Sequence, residues 1–336
     1  MAQYGQVIDG RYRILKEIGS GGTSVVYLVA DSHLNKNFAI KEIKKDDFVN
    51  SGKIAGDLID EANIMNRLNH PLLPRIIDVI DRGHYVYVVM DYIQGQPLDK
   101  VRQHYRTIPE QYVIHWFKQL CEVLTYLHVA NPPIIFRDLK PSNIILTADG
   151  SIRLIDFGAA REFKRQQLNN DNNNWGTKNY AAPEQVMYGI SDARSDIYSL
   201  GVTMHHLLTG ADPGDINNSL QPIRKYNPNL SPELERIVDK CIKVRPEERY
   251  QNCRELYYDL SSVDTTGRIN KTAAKKGVSG ITIASIIISV VVFVLSALIF
   301  VFSMFSPSEP YTGNNVVDTF NDSAVQQYIE LPEDLF

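Results

Sequence analysis

Phe136-Arg137-Asp138-Leu139-Lys140-Pro141-Ser142-Asn143, with Asp156-Phe157-Gly158 beginning thirteen residues beyond Asn143, is the stretch on which the reading of this chain turns. Phosphoryl chemistry wants these residue types in company. One carboxylate orients or deprotonates a hydroxyl nucleophile, and a lysine meets the transferring phosphate. An asparagine and a second aspartate then offer hard oxygen ligands to Mg2+. A purely structural reading leaves four chemistry-bearing residues in this order unexplained.

Two weaker signals lie upstream. Gly19-Ser20-Gly21-Gly22-Thr23-Ser24 sits between apolar, strand-like runs. Glycines let a hairpin backbone approach phosphates and donate N–H groups to them. A dinucleotide-binding loop leads from a strand into a helix, but here the strand-like Val25-Val26-Tyr27-Leu28-Val29 follows. Next, Phe38-Ala39-Ile40-Lys41 places a lysine inside an apolar run, which is unusual unless it has an anionic partner. Glu61 lies twenty residues on, in the helical stretch DLIDEANIMNRL.

Taken together, these motifs resemble the eukaryotic-type protein kinase family, in its bacterial, membrane-anchored serine/threonine branch, over about residues 8–262. The resemblance implies a bilobal α+β fold, with a small β-rich lobe at about 8–91 and a larger helical lobe at about 92–262. It implies ATP and Mg2+ as cofactors, Mn2+ being an alternative, and protein substrates. Gly19, Ser20, Gly21, Gly22 and Ser24 would cover the ATP phosphates. Val26 and Ala39 would roof the adenine, with Ile145 beneath it. Met90 takes the gatekeeper position, and Asp91 to Ile93 the hinge. Lys41 would hold the α/β-phosphates, oriented by Glu61. Asp138 would be the catalytic base, Lys140 the γ-phosphate contact, and Asn143 and Asp156 the metal ligands. Phe157 would pack beneath the helix carrying Glu61. Glu184 of Ala182-Pro183-Glu184 would pair with Arg249, and Asp196 would brace the catalytic loop.

The chain departs from the family pattern in three places. Phe136 replaces a histidine, at a position that packs in the core and transfers no proton. Pro97 stands where many relatives offer an acid to ribose. From Gly158 to Ala182 the only hydroxyl residues are Thr177 and Tyr180. Activity is therefore expected not to need a phosphate in that segment, with Asp171 offering Arg137 a permanent charge. A pseudokinase, the rival reading, would have lost Lys41, Asp138, Asn143 or Asp156, and all four are present. A small-molecule kinase would lack the long segment that ends in Ala-Pro-Glu.

Composition agrees with a folded domain: 44% hydrophobic and 22% charged residues, at a net charge of −4. That balance excludes a strongly basic nucleic-acid binder. Three cysteines without paired spacing exclude a disulfide framework. The eight histidines show no metal spacing and read as structural or solvated.

The average hides an asymmetry. Val278 to Phe305 is 28 residues without a charge, whereas about 20 apolar residues already cross a bilayer core. Arg268, Lys271, Lys275 and Lys276 precede it, in the linker 263–277, and the following 306–336 carries six acids and no Lys or Arg. The positive-inside rule then predicts a single-pass protein of the cell membrane with the kinase domain cytoplasmic and the acidic tail outside. No apolar h-region marks a signal peptide near Met1. Expected partners are ATP, protein substrates, membrane lipids through the span and basic linker, and a second copy in a homodimer; nucleic acid is not among them.

Overall fold

A computed structural model describes residues 2–21, 24–45, 67–105, 108–157, 159–162, 178–214 and 220–263. All of them fall in one of the chain's two compact units. The predicted helical stretch at 56–66, the activation-segment residues 163–177, and the linker, apolar run and tail from 264 onward lie outside the described residues.

Six antiparallel strands build the first sheet: β1 (Val7–Ile8), β2 (Tyr12–Gly21), β3 (Ser24–Asp31), β4 (Lys36–Lys44), β5 (Ile76–Arg82) and β6 (Tyr85–Asp91). Their spatial order is β1-β2-β3-β4-β6-β5. Side chains alternate between the faces of a strand, and the sequence uses both. Tyr12, Ile14, Val25, Tyr27, Val29, Phe38, Ile40, Tyr87 and Val89 pack into one core on the same side. Ala39 and Lys41 therefore point to the other face. Cross-strand register adds Val26 and Val88 opposite Lys41, and Met90 opposite Ala39. The glycine-rich segment is a hairpin, with Gly19 opposite Val26 and Gly21 opposite Ser24, as its strand-like flanks predict.

The second lobe is mainly helical. It contains α1 (Leu98–His104), α2 (Glu110–His128), α3 (Pro183–Tyr188), α4 (Ala193–Thr209), α5 (Ile223–Tyr226), α6 (Pro232–Cys241) and α7 (Cys253–Ser261). Apolar residues recurring at helical spacing on α2, from Val113 to Leu127, bury that face. They meet Leu200, Met204, Leu234 and Leu256 in one continuous core. Asp192 caps α4 in a reciprocal capping box with Ser195, and Gly210, at φ 75°, ends it. β7 (Gln96–Pro97), just before α1, forms a small sheet with β9 (Ile144–Leu146) and β10 (Ile152–Leu154), which lie between α2 and α3 in the chain, while β8 (Ile134–Ile135) pairs with β11 (Arg161–Glu162). Gly95 has a steric reason: a Cβ there would stand 2.2 Å from the Leu146 carbonyl oxygen. This is the bilobal α+β arrangement expected from the sequence. Among the described residues, no helix is long and apolar enough to cross a membrane.

Candidate active site

Two motifs about a dozen residues apart meet through the backbone. After β8 the chain runs through Phe136–Lys140 into a single 3-10 turn, Pro141–Asn143, and then β9. The Asn143 carbonyl accepts from the Ile155 N–H at 2.9 Å, which sets Asp156 beside the turn. Asp156 (φ 67°) and Arg137 (φ 71°) both take the left-handed conformation. Residues without that freedom adopt it only where the surroundings over-determine it, and such strain gathers at functional sites.

The side chains then interlock. Asn143 Nδ2 donates to the Asp138 carbonyl at 2.8 Å and to Asp138 Oδ2 at 3.0 Å. Lys140 Nζ lies 2.8 Å from the same Oδ2. With its amide protons on Asp138, Asn143 turns Oδ1 away from that carboxylate. Lys41 reaches across from β4 to Asp156 Oδ1 at 2.9 Å, buried itself while Asp156 stays 45% exposed. The structure thus brings Lys41, Asp138, Lys140, Asn143 and Asp156 into one linked set. Val26, Ala39 and Met90 share the sheet face of Lys41, and Ile145 is on β9. Glu61 and Gly22 lie outside the described residues.

Asn143 and Asp156 supply hard oxygens of the type that Mg2+ prefers. Two protein ligands suit an ion that keeps several waters and takes its remaining contacts from phosphates. No larger group of His, Cys, Asp and Glu that could hold a metal occurs among the described residues.

Support comes from beneath. Asp196, fully buried on α4, accepts from the Phe136 N–H at 2.9 Å and the Arg137 N–H at 2.8 Å. His128 Nε2 bonds the same carboxylate at 2.8 Å, and its Nδ1 faces Cys253 Sγ at 3.8 Å. Burial alone would push this imidazole down, but the hydrogen bonds to Asp196 and Cys253 override it and hold it up at about 10. Phe136 is fully buried and meets Phe157 edge-on, with centroids 5.3 Å apart at 88°. Glu184 takes two hydrogen bonds from Arg249, at 2.7 and 2.9 Å, and one from Ser195 at 2.7 Å.

His128, read from the sequence with the other histidines as structural or solvated, is structural, its ring buttressing Asp196. Sequence reasoning misses two partners. It did not single out Gln185, whose Nε2 donates to the Arg137 carbonyl at 2.8 Å. It left Tyr180 open as a phosphate acceptor, but the hydroxyl bonds His206 Nδ1 at 2.6 Å. Burial drives the Tyr180 phenol well up and the His206 imidazole down. The two groups therefore meet as neutral partners.

Residues 12–259 match the family model described as the protein kinase domain. The chain belongs to that family. Among curated relatives, this kinase domain is 32% identical over 270 residues to a probable serine/threonine-protein kinase of Clostridium acetobutylicum, covering 77% of this chain and 41% of the relative. It is 29% identical over 278 residues to the serine/threonine-protein kinase PrkC of Bacillus subtilis, covering 80% and 42%. It is also 30% identical over 272 residues to PknB of Mycobacterium leprae, covering 76% and 43%. The chain spans about two fifths of the length of these relatives.

Proposed function

We propose that this chain transfers the γ-phosphoryl group of ATP to serine or threonine hydroxyls of proteins. The observation that carries this is the linked set Lys41–Asp156 and Lys140–Asp138–Asn143, in which no catalytic position is lost. The relatives' names as serine/threonine-protein kinases support the serine/threonine class.

The chemistry divides as follows. Asp138 orients the acceptor hydroxyl and takes its proton as the oxygen attacks the γ-phosphorus. The bond from that phosphorus to the bridging oxygen of ADP breaks, and the charge returns to ADP. Lys140, beside Asp138, meets the charge on the transferring group. Lys41 fixes the α/β-phosphates. Asn143 and Asp156 would hold Mg2+, which when bound would supply charge neutralisation on the phosphates. Little covalent work falls to the protein, so positioning and electrostatics dominate.

The membrane part of the reading rests on residues 278–305 and their flanks. Four cations before the run and six acids after it support a kinase domain on the cytoplasmic side of the cell membrane with the tail outside. The basic linker 263–277 then lies along an anionic lipid surface, and dimerisation through the anchored chains is a further part of the proposal.

The test of the chemistry is incorporation of labelled phosphate from ATP into a Ser/Thr peptide library by the full chain. Asp138→Asn, Asp156→Ala and Lys41→Met should each lower it by orders of magnitude with folding intact. Near wild-type turnover in any of the three would sink the site assignment.

A further inference from the structure

Arg137 links the buried anchor Phe136 to Asp138, and every contact described for it reaches into one stretch, residues 185–196. Its N–H donates to Asp196 Oδ1, and its carbonyl accepts from Gln185 Nε2 at 2.8 Å. Its guanidinium donates from Nε to Ser191 Oγ at 3.2 Å and from Nη2 to the Gly189 carbonyl at 3.3 Å. The residue is 5% exposed and Gln185 is 6% exposed. The charge expected from Asp171 lies outside the described residues; the contacts described for Arg137 run to α3, the loop after it and α4.

The Arg137 carbonyl and the Asp138 N–H belong to one planar peptide unit. Gln185 holds the carbonyl edge of that plane, and the Phe136 carbonyl accepts from the N–H edge at 3.0 Å. With the plane held on both edges, the backbone from which the Asp138 side chain projects is constrained, while Asn143 and Lys140 hold its carboxylate. Ser191 acts one bond further out. By anchoring the guanidinium it opposes relaxation of Arg137 from φ 71° toward the right-handed region that an arginine prefers.

We propose that Gln185 and Ser191 are positioning residues for the catalytic base, acting through the strained Arg137. The proposal rests on the phosphoryl-transfer reading above. It ties the stretch after the activation segment to the geometry of Asp138, so that displacing the loop 189–191 detunes the base without touching ATP. Ser191 is partly exposed on a loop whose neighbours Met187, Tyr188 and Ile190 are exposed, which makes it the cleaner position to vary.

The experiment uses the full chain with Ser191→Ala, Ser191→Thr and Gln185→Met, the last keeping volume while removing the amide. Ser191→Ala and Gln185→Met should each lower kcat by about tenfold, with KM for ATP unchanged to within about twofold. Ser191→Thr should restore the rate. Amide exchange in the peptide covering 136–139 should quicken in both deficient variants, while the thermal midpoint of Ser191→Ala stays within about 2 °C of wild type. An unchanged kcat in Ser191→Ala and Gln185→Met overturns the proposal. So does a loss in which kcat, KM and midpoint move together and threonine fails to rescue, since that marks a merely structural contact. A wild-type chain that labels no peptide would sink the kinase reading instead. The exchange rates still decide the positioning in that case, and unchanged exchange at 136–139 overturns it.

Discussion

Position 136 shows how a family departure is absorbed at the level of one residue. The ring of Phe136 fills the core and meets Phe157 edge-on, so the site retains its anchor although a proton-carrying side chain is gone. Phe136→Ala should cost about 3–5 kcal/mol through lost burial and the cavity left behind. Phe136→His should cost less, and denaturant unfolding of the two variants will order them. His128 carries a second prediction. Its folded pKa of about 10 lies above the ordinary imidazole value. Its contribution to stability is therefore complete below about pH 6.5 and is lost as pH rises through about 10. The stability gap between wild type and His128→Asn should be widest near pH 6 and close toward pH 10. A gap that widens with pH contradicts the assignment. Asp138, Lys140, Asn143 and Asp156 were legible because their chemistry is written in residue type, order and spacing. Gln185 was not, because its partner is a backbone carbonyl 48 residues away and such a contact leaves no pattern in the chain.

At the scale of elements, legibility followed periodicity. β3 and β4 announce themselves through β-branched and aromatic residues, and α2 and α4 through apolar spacing. The edge strand β5, IIDVIDR, breaks the apolar-in, polar-out alternation: Ile77 and Val79 are open to solvent while Asp78 lies on the other face. It did not stand out before the sheet was assembled. The tie between α3 and the turn after α6 depends on one ion pair. Arg249 is buried, and its fork meets both oxygens of Glu184. Burial alone would raise the Glu184 pKa, yet the hydrogen bond from Arg249 and others lower it on balance. Arg249→Leu should therefore destabilise the domain by about 3–5 kcal/mol, since it strands a half-buried carboxylate. Arg249→Lys should recover only part of that loss, because an ammonium cannot reproduce the bidentate geometry. Calorimetric unfolding of the two variants distinguishes an energetic tie from a decorative one: equal stability of wild type and Arg249→Leu would discard it.

At the scale of the whole molecule, charge is distributed in steps along the chain. Residues 1–277 carry net +2, the next 28 residues carry nothing, and the last 31 carry −6. The proposed reading of a charge step of this kind, around an apolar run long enough for a bilayer, is a span whose cationic flank stays on the cytoplasmic side. The prediction is that the full chain sediments with membranes and resists alkaline carbonate extraction, and that deleting 278–305 releases it. A tag after Phe336 should be open to protease from outside intact cells, while the kinase domain is protected. Each of the four linker cations near an anionic leaflet is worth about 1 kcal/mol. Replacing Arg268, Lys271, Lys275 and Lys276 with Gln in the chain lacking 278–305 should therefore abolish its residual binding to phosphatidylserine vesicles at low salt. Catalysis on a soluble peptide should be unchanged. Carbonate-extractable full-length chain would remove the span, and unaltered vesicle binding of the Gln variant would remove the electrostatic contact. The two outcomes are separable because one depends on apolar area and the other on charge.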